Sequence, residues 1–244
     1  MGSLEVCYKT DVGKKRSVNE DSLVAKRLGD VYLLAVADGL GGHAAGEVAS
    51  RVGLIELEES LKNSLSAEKV IEALKGAITK ANREIYLLSK ENADYRGMGS
   101  TLVVAVVVGN KAVIANVGDS RVYLVGNAIE RITKDHSLVQ ELIDKQVITE
   151  EETFDHPQKN IVTRSLGLEE EVTPDFYEVE LGRKTLLLCS DGLSDALRDD
   201  EIRDIITASS SLDEACTKLI DSANQKGGAD NITVVLAKVA GQVH

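Results

Sequence analysis

The chain has 244 residues, 43% of them hydrophobic and 28% charged, with 28 Lys and Arg against 40 Asp and Glu for a formal charge of −12. That composition builds an ordinary globular core and argues against a phosphate-backbone binder, whose affinity comes from basic side chains. No apolar run approaches the roughly 18 residues that span a bilayer, and the first residues lack a signal-peptide pattern. A cytoplasmic monomer that engages neither membrane nor nucleic acid is the expectation.

Cys7, Cys189 and Cys216 are odd in number and widely spaced, so neither a disulfide framework nor a zinc site is expected. No Pro- or Ser-rich linker divides the sequence, and residues 1–244 read as one domain.

In chain order, three Gly-plus-polar dipeptides mark two-residue hairpin turns: Gly29-Asp30, Gly109-Asn110 and Gly126-Asn127. They join predicted strands 22–28 to 31–37, 102–108 to 111–117, and 121–125 to 128–132. Further strands are predicted at 172–181, 185–190 and 231–239. Predicted helices cover 47–62, 67–90, 138–145, 200–208 and 212–226. Capping boxes at Ser137-x-x-Gln140, Thr149-x-x-Glu152 and Ser211-x-x-Glu214 mark helix starts. Hairpins and paired long helices argue against alternating βαβ units. The fold class is α+β, a four-layer α/β/β/α sandwich with two central antiparallel sheets covered by helices.

The acids stand at the strand ends. Val31–Ala37 is an apolar run that stops at Asp38 and a glycine knot, Gly39-Leu40-Gly41-Gly42. Pairing Leu28 with Val31 across the first turn sets Asp21 directly opposite Asp38. Cross-strand neighbours have Cβ atoms about 5 Å apart, so two facing carboxylates need a cation, a proton or a hydrogen-bond network. The second hairpin, extended the same way, sets Asp119 opposite Ser100 and Gly118 opposite Thr101. Asp191 follows strand 185–190, and Asp230 precedes strand 231–239.

Each aspartate alone reads as a turn residue. Five at strand ends, two of them face to face, point to a carboxylate cluster for hard cations, Mg²⁺ or Mn²⁺. Gly39 lacks a Cβ, which would let its carbonyl approach a metal. Arg16 offers a guanidinium for phosphate oxygens, or else belongs with Lys14 and Lys15 to a solvated basic loop.

Gly39-Leu40-Gly41-Gly42-His43-Ala44 also matches a dinucleotide fingerprint. A carboxylate at Asp38 beside a pyrophosphate, and a second helix where a strand should follow, speak against it. His43 is a candidate general acid and equally a helix-entry residue. His136 sits beside a cap and reads as structural. His156 suggests nothing specific.

With these residues assembled, the chain resembles a bacterial member of the metal-dependent (type 2C) protein Ser/Thr phosphatases. The resemblance rests on Arg16 to Asp21, Ala37 to His43, Gly99-Ser100-Thr101, Gly118 to Arg121, Asp135-His136-Ser137, Ser190-Asp191-Gly192 and Asp230-Asn231. It implies hydrolysis of phosphoserine and phosphothreonine in proteins that a bacterial Ser/Thr kinase modifies, with Mn²⁺ or Mg²⁺ as cofactor. Asp38 would bridge two metals, Gly39 would lend its carbonyl, and Asp191 and Asp230 would complete the pair. Glu20 and Asp21 would act through metal-held water, and Asp119 with Asp191 would hold a third ion. Arg16 would bind phosphate, and residues 147–166 would form a flap. Eukaryotic relatives carry a His directly after the Asp-Gly, where this chain has Leu40. The general acid is therefore His43 or a metal-held water. Two alternatives stand beside this: a catalytically silent phosphoprotein-binding module and a small-molecule phosphatase on the same scaffold.

Overall fold

The computed structural model describes residues 3–41, 45–62 and 68–240. Strands β1 (Leu4–Asp11), β2 (Asp21–Leu28) and β3 (Val31–Leu40) lead into helices α1 (Ala45–Lys62) and α2 (Val70–Glu91). A short β4 (Gly99–Ser100) precedes β5 (Leu102–Val108), β6 (Lys111–Val117), β7 (Arg121–Val125) and β8 (Ile129–Arg131). Helices α3 (Leu138–Asp144) and α4 (Glu150–Thr153) come next, then β9 (Asp175–Glu180) and β10 (Thr185–Cys189). The described chain closes with α5 (Asp191–Ser194), α6 (Asp199–Ala208), α7 (Leu212–Gln225) and β11 (Ile232–Val239).

The strands form two antiparallel sheets. One runs β1-β11-β10-β7-β8, the other β2-β3-β5-β6-β9, with β4 attached to β3. Three apolar layers hold the stack together. Leu34, Val36, Ala105, Ile114, Leu124, Leu186, Leu188 and Val235 fill the space between the sheets. Leu33, Ala35, Val104 and Val106 face the opposite way and pack under α1 and α2. Leu187, Cys189, Val234 and Leu236 do the same under α6 and α7. Successive residues of a strand point to opposite faces, so strands apolar throughout are what two covered faces require.

The helices bury the stripes their spacing predicts. In α1, Ala49, Gly53, Leu57 and Leu61 recur every four residues and are buried. In α2 the buried set includes Val70, Leu74, Ala77, Ala81 and Ile85. The two helices meet where Gly53 lies close to Ile85. The sandwich expected from the sequence is the fold observed.

Four details differ. Strand β3 continues past Ala37 to Leu40, so Asp38 and Gly39 lie within a strand, and Gly39 pairs with Ser100 of β4. Because β4 turns away to β3, Ser100 does not face Asp119; the β5–β6 ladder ends at Leu102 opposite Val117. The β7–β8 connection has three residues, with Val125 opposite Ile129 and the Gly126 N–H donating to the Ala128 carbonyl. Strand β1 was not expected. Its inward residues Leu4 and Val6 alternate with Glu5 and Cys7, a signal that was present in the sequence.

Candidate metal centre

The strands deliver their acids to one end of the layer between the sheets. Asp21 opens β2 and pairs with Asp38, as hairpin register requires. Asp119 sits in the β6–β7 turn, Asp191 is the first residue of α5, and Asp230 stands two residues before β11. A cleft of about 180 Å³ is lined by Arg16, Glu20, Asp38, Gly39, Asp119, Asp191 and Asp230. Asp21 lies beneath it, 8% exposed. The other expected site residues gather here; His43 lies outside the described residues.

The acids feel one another. Burial first, then Asp21, Asp191, Asp119 and Asp230, push the Asp38 carboxyl well above the usual range. Asp191 is raised likewise by burial and then by Asp119, Asp195, Asp230 and Asp21. Burial lifts Asp21 to about 6 and Asp119 to about 7. Coulomb repulsion between buried carboxylates grows as water is excluded.

Hydrogen bonds satisfy only part of this charge. Asp21 Oδ2 accepts from the Ser190 hydroxyl at 2.7 Å and the Thr233 hydroxyl at 2.6 Å, which ties one sheet to the other. Among the described residues, Asp21 Oδ1, Glu20 Oε1 and Asp191 Oδ1 are buried without a partner. Orphaned buried carboxylate oxygens are costly, and a bound cation relieves that cost. Oxygen donors without His or Cys suit Mg²⁺ or Mn²⁺. Among the described residues no three such side chains close into an ion cage by themselves. Hard cations of this size commonly keep several waters, so pairs of carboxylates suffice. The donor set fits such ions.

Thr101 and Asn231, present in the sequence motifs without an assigned role, hold the acids in place. Thr101 Oγ1 accepts from the Asp38 N–H at 2.9 Å and bonds the Ser120 hydroxyl at 2.8 Å. Asn231 accepts from the Glu20 N–H and donates to the Val12 and Val18 carbonyls, fixing the loop that carries Arg16. Arg16 reaches the cleft and donates to Asp230 Oδ2 at 2.8 Å, a bond that also raises its own pKa. It is no free basic loop residue. Gly39 has a second reason to be glycine: a Cβ there would collide with the Gly46 carbonyl at the start of α1.

Residues 13–232 match the family model described as Protein phosphatase 2C. The chain belongs to the protein phosphatase 2C family. With membership comes the enzyme class, protein serine/threonine phosphatase. "Serine/threonine phosphatase stp" of Listeria welshimeri is 41% identical over 237 residues, covering 95% of this chain and 94% of its own. "Protein phosphatase PhpP" of Streptococcus pneumoniae is 40% identical, covering 97% and 98%. The solved structure of the phosphatase Stp1 from Staphylococcus aureus superposes with a TM-score of 0.94 at 38% identity, over 98% of this chain and 96% of that one. The catalytic domain of the phosphatase PstP in complex with 2 manganese ions superposes at 0.87 with 36% identity, over 98% and 99%. Such agreement over nearly the full length is a statement about fold and family; the acid cluster described above is this chain's own.

Proposed function

We propose that the chain hydrolyses phosphoserine and phosphothreonine in proteins, using a pair of divalent ions, Mn²⁺ or Mg²⁺, held in the acid cleft. The observation that carries this is the set of mutually repelling buried carboxylates, Asp38, Asp191, Asp21 and Asp119, at one end of the sandwich. When bound, such ions supply an activated water and neutralise charge on the transferring phosphoryl group.

Each residue has a part. Asp38, which feels all four other aspartates, would hold the ions, and the Gly39 carbonyl would add a neutral donor. Asp191 and Asp230 complete the ligand set, with Asp119 and Asp191 serving a third ion. Asp21 contributes through Oδ1, since Ser190 and Thr233 occupy Oδ2. Arg16 exchanges Asp230 for two phosphoryl oxygens when substrate arrives and steadies developing charge there. Residues 147–166 act as a flap over the cleft; Asn160 and Val162 already line it. Substrates are proteins modified by a Ser/Thr kinase.

The test is release of phosphate from a phosphothreonine peptide with Mn²⁺ and with EDTA, beside a panel of metabolite phosphates. Turnover of the peptide that requires Mn²⁺ is expected. No turnover, or a clear preference for a metabolite phosphate, sinks the proposal.

A further inference from the structure

His136 is not part of the acid cluster, yet two parts of the cleft meet at it. It lies between β8 and α3 and is 8% exposed. Its N–H donates to the Gly118 carbonyl at 2.9 Å, and its ring Nδ1 accepts from the Gly118 N–H at 3.0 Å. One histidine thus grips both polar groups of the residue that precedes Asp119. Gly118 has a φ of +110°, and a Cβ on it would stand 2.7 Å from the Thr101 side chain. The turn that aims Asp119 is therefore set by contacts on two sides, Thr101 and His136.

The other half of His136 holds a segment of the proposed flap, residues 161–164. Its carbonyl accepts from the Thr163 N–H at 2.8 Å, Ser137 bridges to Val162, and the Leu138 N–H donates to the Ile161 carbonyl. With Nδ1 an acceptor, the proton of the neutral ring sits on Nε2 and faces Asp175 Oδ2 at 3.2 Å, while Arg164 Nη1 stands 2.9 Å from the same nitrogen. Arg164 donates to Asp175 Oδ1 at 3.1 Å, closing the network. Burial pushes the His136 pKa down, which keeps the ring neutral and Nδ1 free to accept. Asn160 and Val162, on this same segment, share the cleft wall with Asp119.

We infer that His136 is a positioning residue that locks the Gly118-Asp119 turn to residues 160–164, so that the third cation position and the substrate-facing wall keep one geometry. This rests on the phosphatase reading of the cleft. The chemistry divides the ring in two. In His136→Asn, the amide oxygen stands near the place of Nδ1 and keeps an acceptor for Gly118. In His136→Gln, the amide reaches toward Asp175 and withdraws that acceptor. His136→Phe removes both.

The experiment titrates Mn²⁺ into the full chain by calorimetry and measures kcat and KM on a phosphothreonine peptide, with thermal unfolding in EDTA as a control for folding. Losing one buried hydrogen bond should weaken the Asp119-dependent Mn²⁺ site about three- to tenfold in the Phe and Gln variants, leaving the tighter sites in place. The Asn variant should return to within about twofold of wild type. KM for the peptide should rise more than kcat falls in the Phe variant, and unfolding temperatures should not track these changes. Should the Phe variant fail to fold, the contrast between Asn and Gln decides. Equal Mn²⁺ affinities in those two variants, or a wild type with no Asp119-dependent site, overturn the inference. A wild type that binds Mn²⁺ but releases no phosphate refutes the phosphatase reading alone, because the calorimetric contrast stands apart from turnover.

Discussion

The layer between the sheets has two ends made from the same strands and the same side-chain alternation. At one end Leu34, Ala105, Ile114, Leu124, Leu186 and Ala237 close a dry core. Two or four residues further along each strand, the positions of the same parity are Asp38, Thr101, Asn116, Ser120, Ser190 and Thr233. The first end buries apolar surface and stabilises the fold whatever the solution contains. The second buries carboxylates that repel, three of whose oxygens have no partner among the described residues. The fold places its stability and its chemistry in one layer and separates them by a few residues per strand. The proposed cations would serve one end only.

The largest effect should come from breaking the acid end. Asp38→Ala or Asp191→Ala should lower Mn²⁺-dependent turnover by more than about 100-fold, since even residues that only support a metal ligand commonly cost 10–100-fold. The same changes should leave the metal-free unfolding temperature equal or higher, because each removes a repelled buried charge. Leu186→Ala should do the reverse. Its fully buried side chain sits in the dry end, and its loss should cost about 2–5 kcal/mol in denaturant unfolding, with Mn²⁺ or without, while turnover per folded molecule persists.

A change of pH sharpens the contrast without mutation. Asp21 and Asp119 have folded pKa values of about 6 and about 7, above those of an unfolded chain. A raised acid binds its proton more tightly when folded, so its contribution to stability is full below the unfolded value and is lost as pH rises through the folded one. Metal-free protein should therefore melt lower at about pH 8 than at about pH 5, and saturating Mn²⁺ should remove that loss; scanning calorimetry with EDTA and with Mn²⁺ reads both. Smaller effects come from the supports. Ser190→Ala, which removes one of the two hydroxyls on Asp21 Oδ2, should cost about 1–3 kcal/mol in chemical unfolding. Asp119→Ala should abolish a weak Mn²⁺ site in calorimetry and leave the tight pair occupied.

Local rules made much of this visible in the sequence. Tight turns fix register, and register alone set Asp21 against Asp38. Helical stripes and all-apolar strands likewise foretold covered sheets. What stayed hidden depends on contacts between distant segments. Nothing near Ser190 or Thr233 says that both hydroxyls meet on Asp21 of the other sheet, although continuing the strand alternation past Cys189 and Val234 would have turned both toward the gap. The departure of β4 toward β3 was equally nonlocal, and it removed the expected Ser100 partner of Asp119. His136 looked like a residue beside a helix cap because its grip on Gly118 spans 18 positions.

The claim that the acid end is built for cations is tested most directly by titrating Mn²⁺ into EDTA-stripped wild-type protein and Asp38→Asn at about pH 7, in two buffers of different ionisation enthalpy. Raised carboxylates must surrender protons to bind a metal. Wild type should show at least two sites whose heats depend on the buffer, and Asp38→Asn should lose the tight ones. Absence of binding in wild type, or equal binding by Asp38→Asn, would contradict the account.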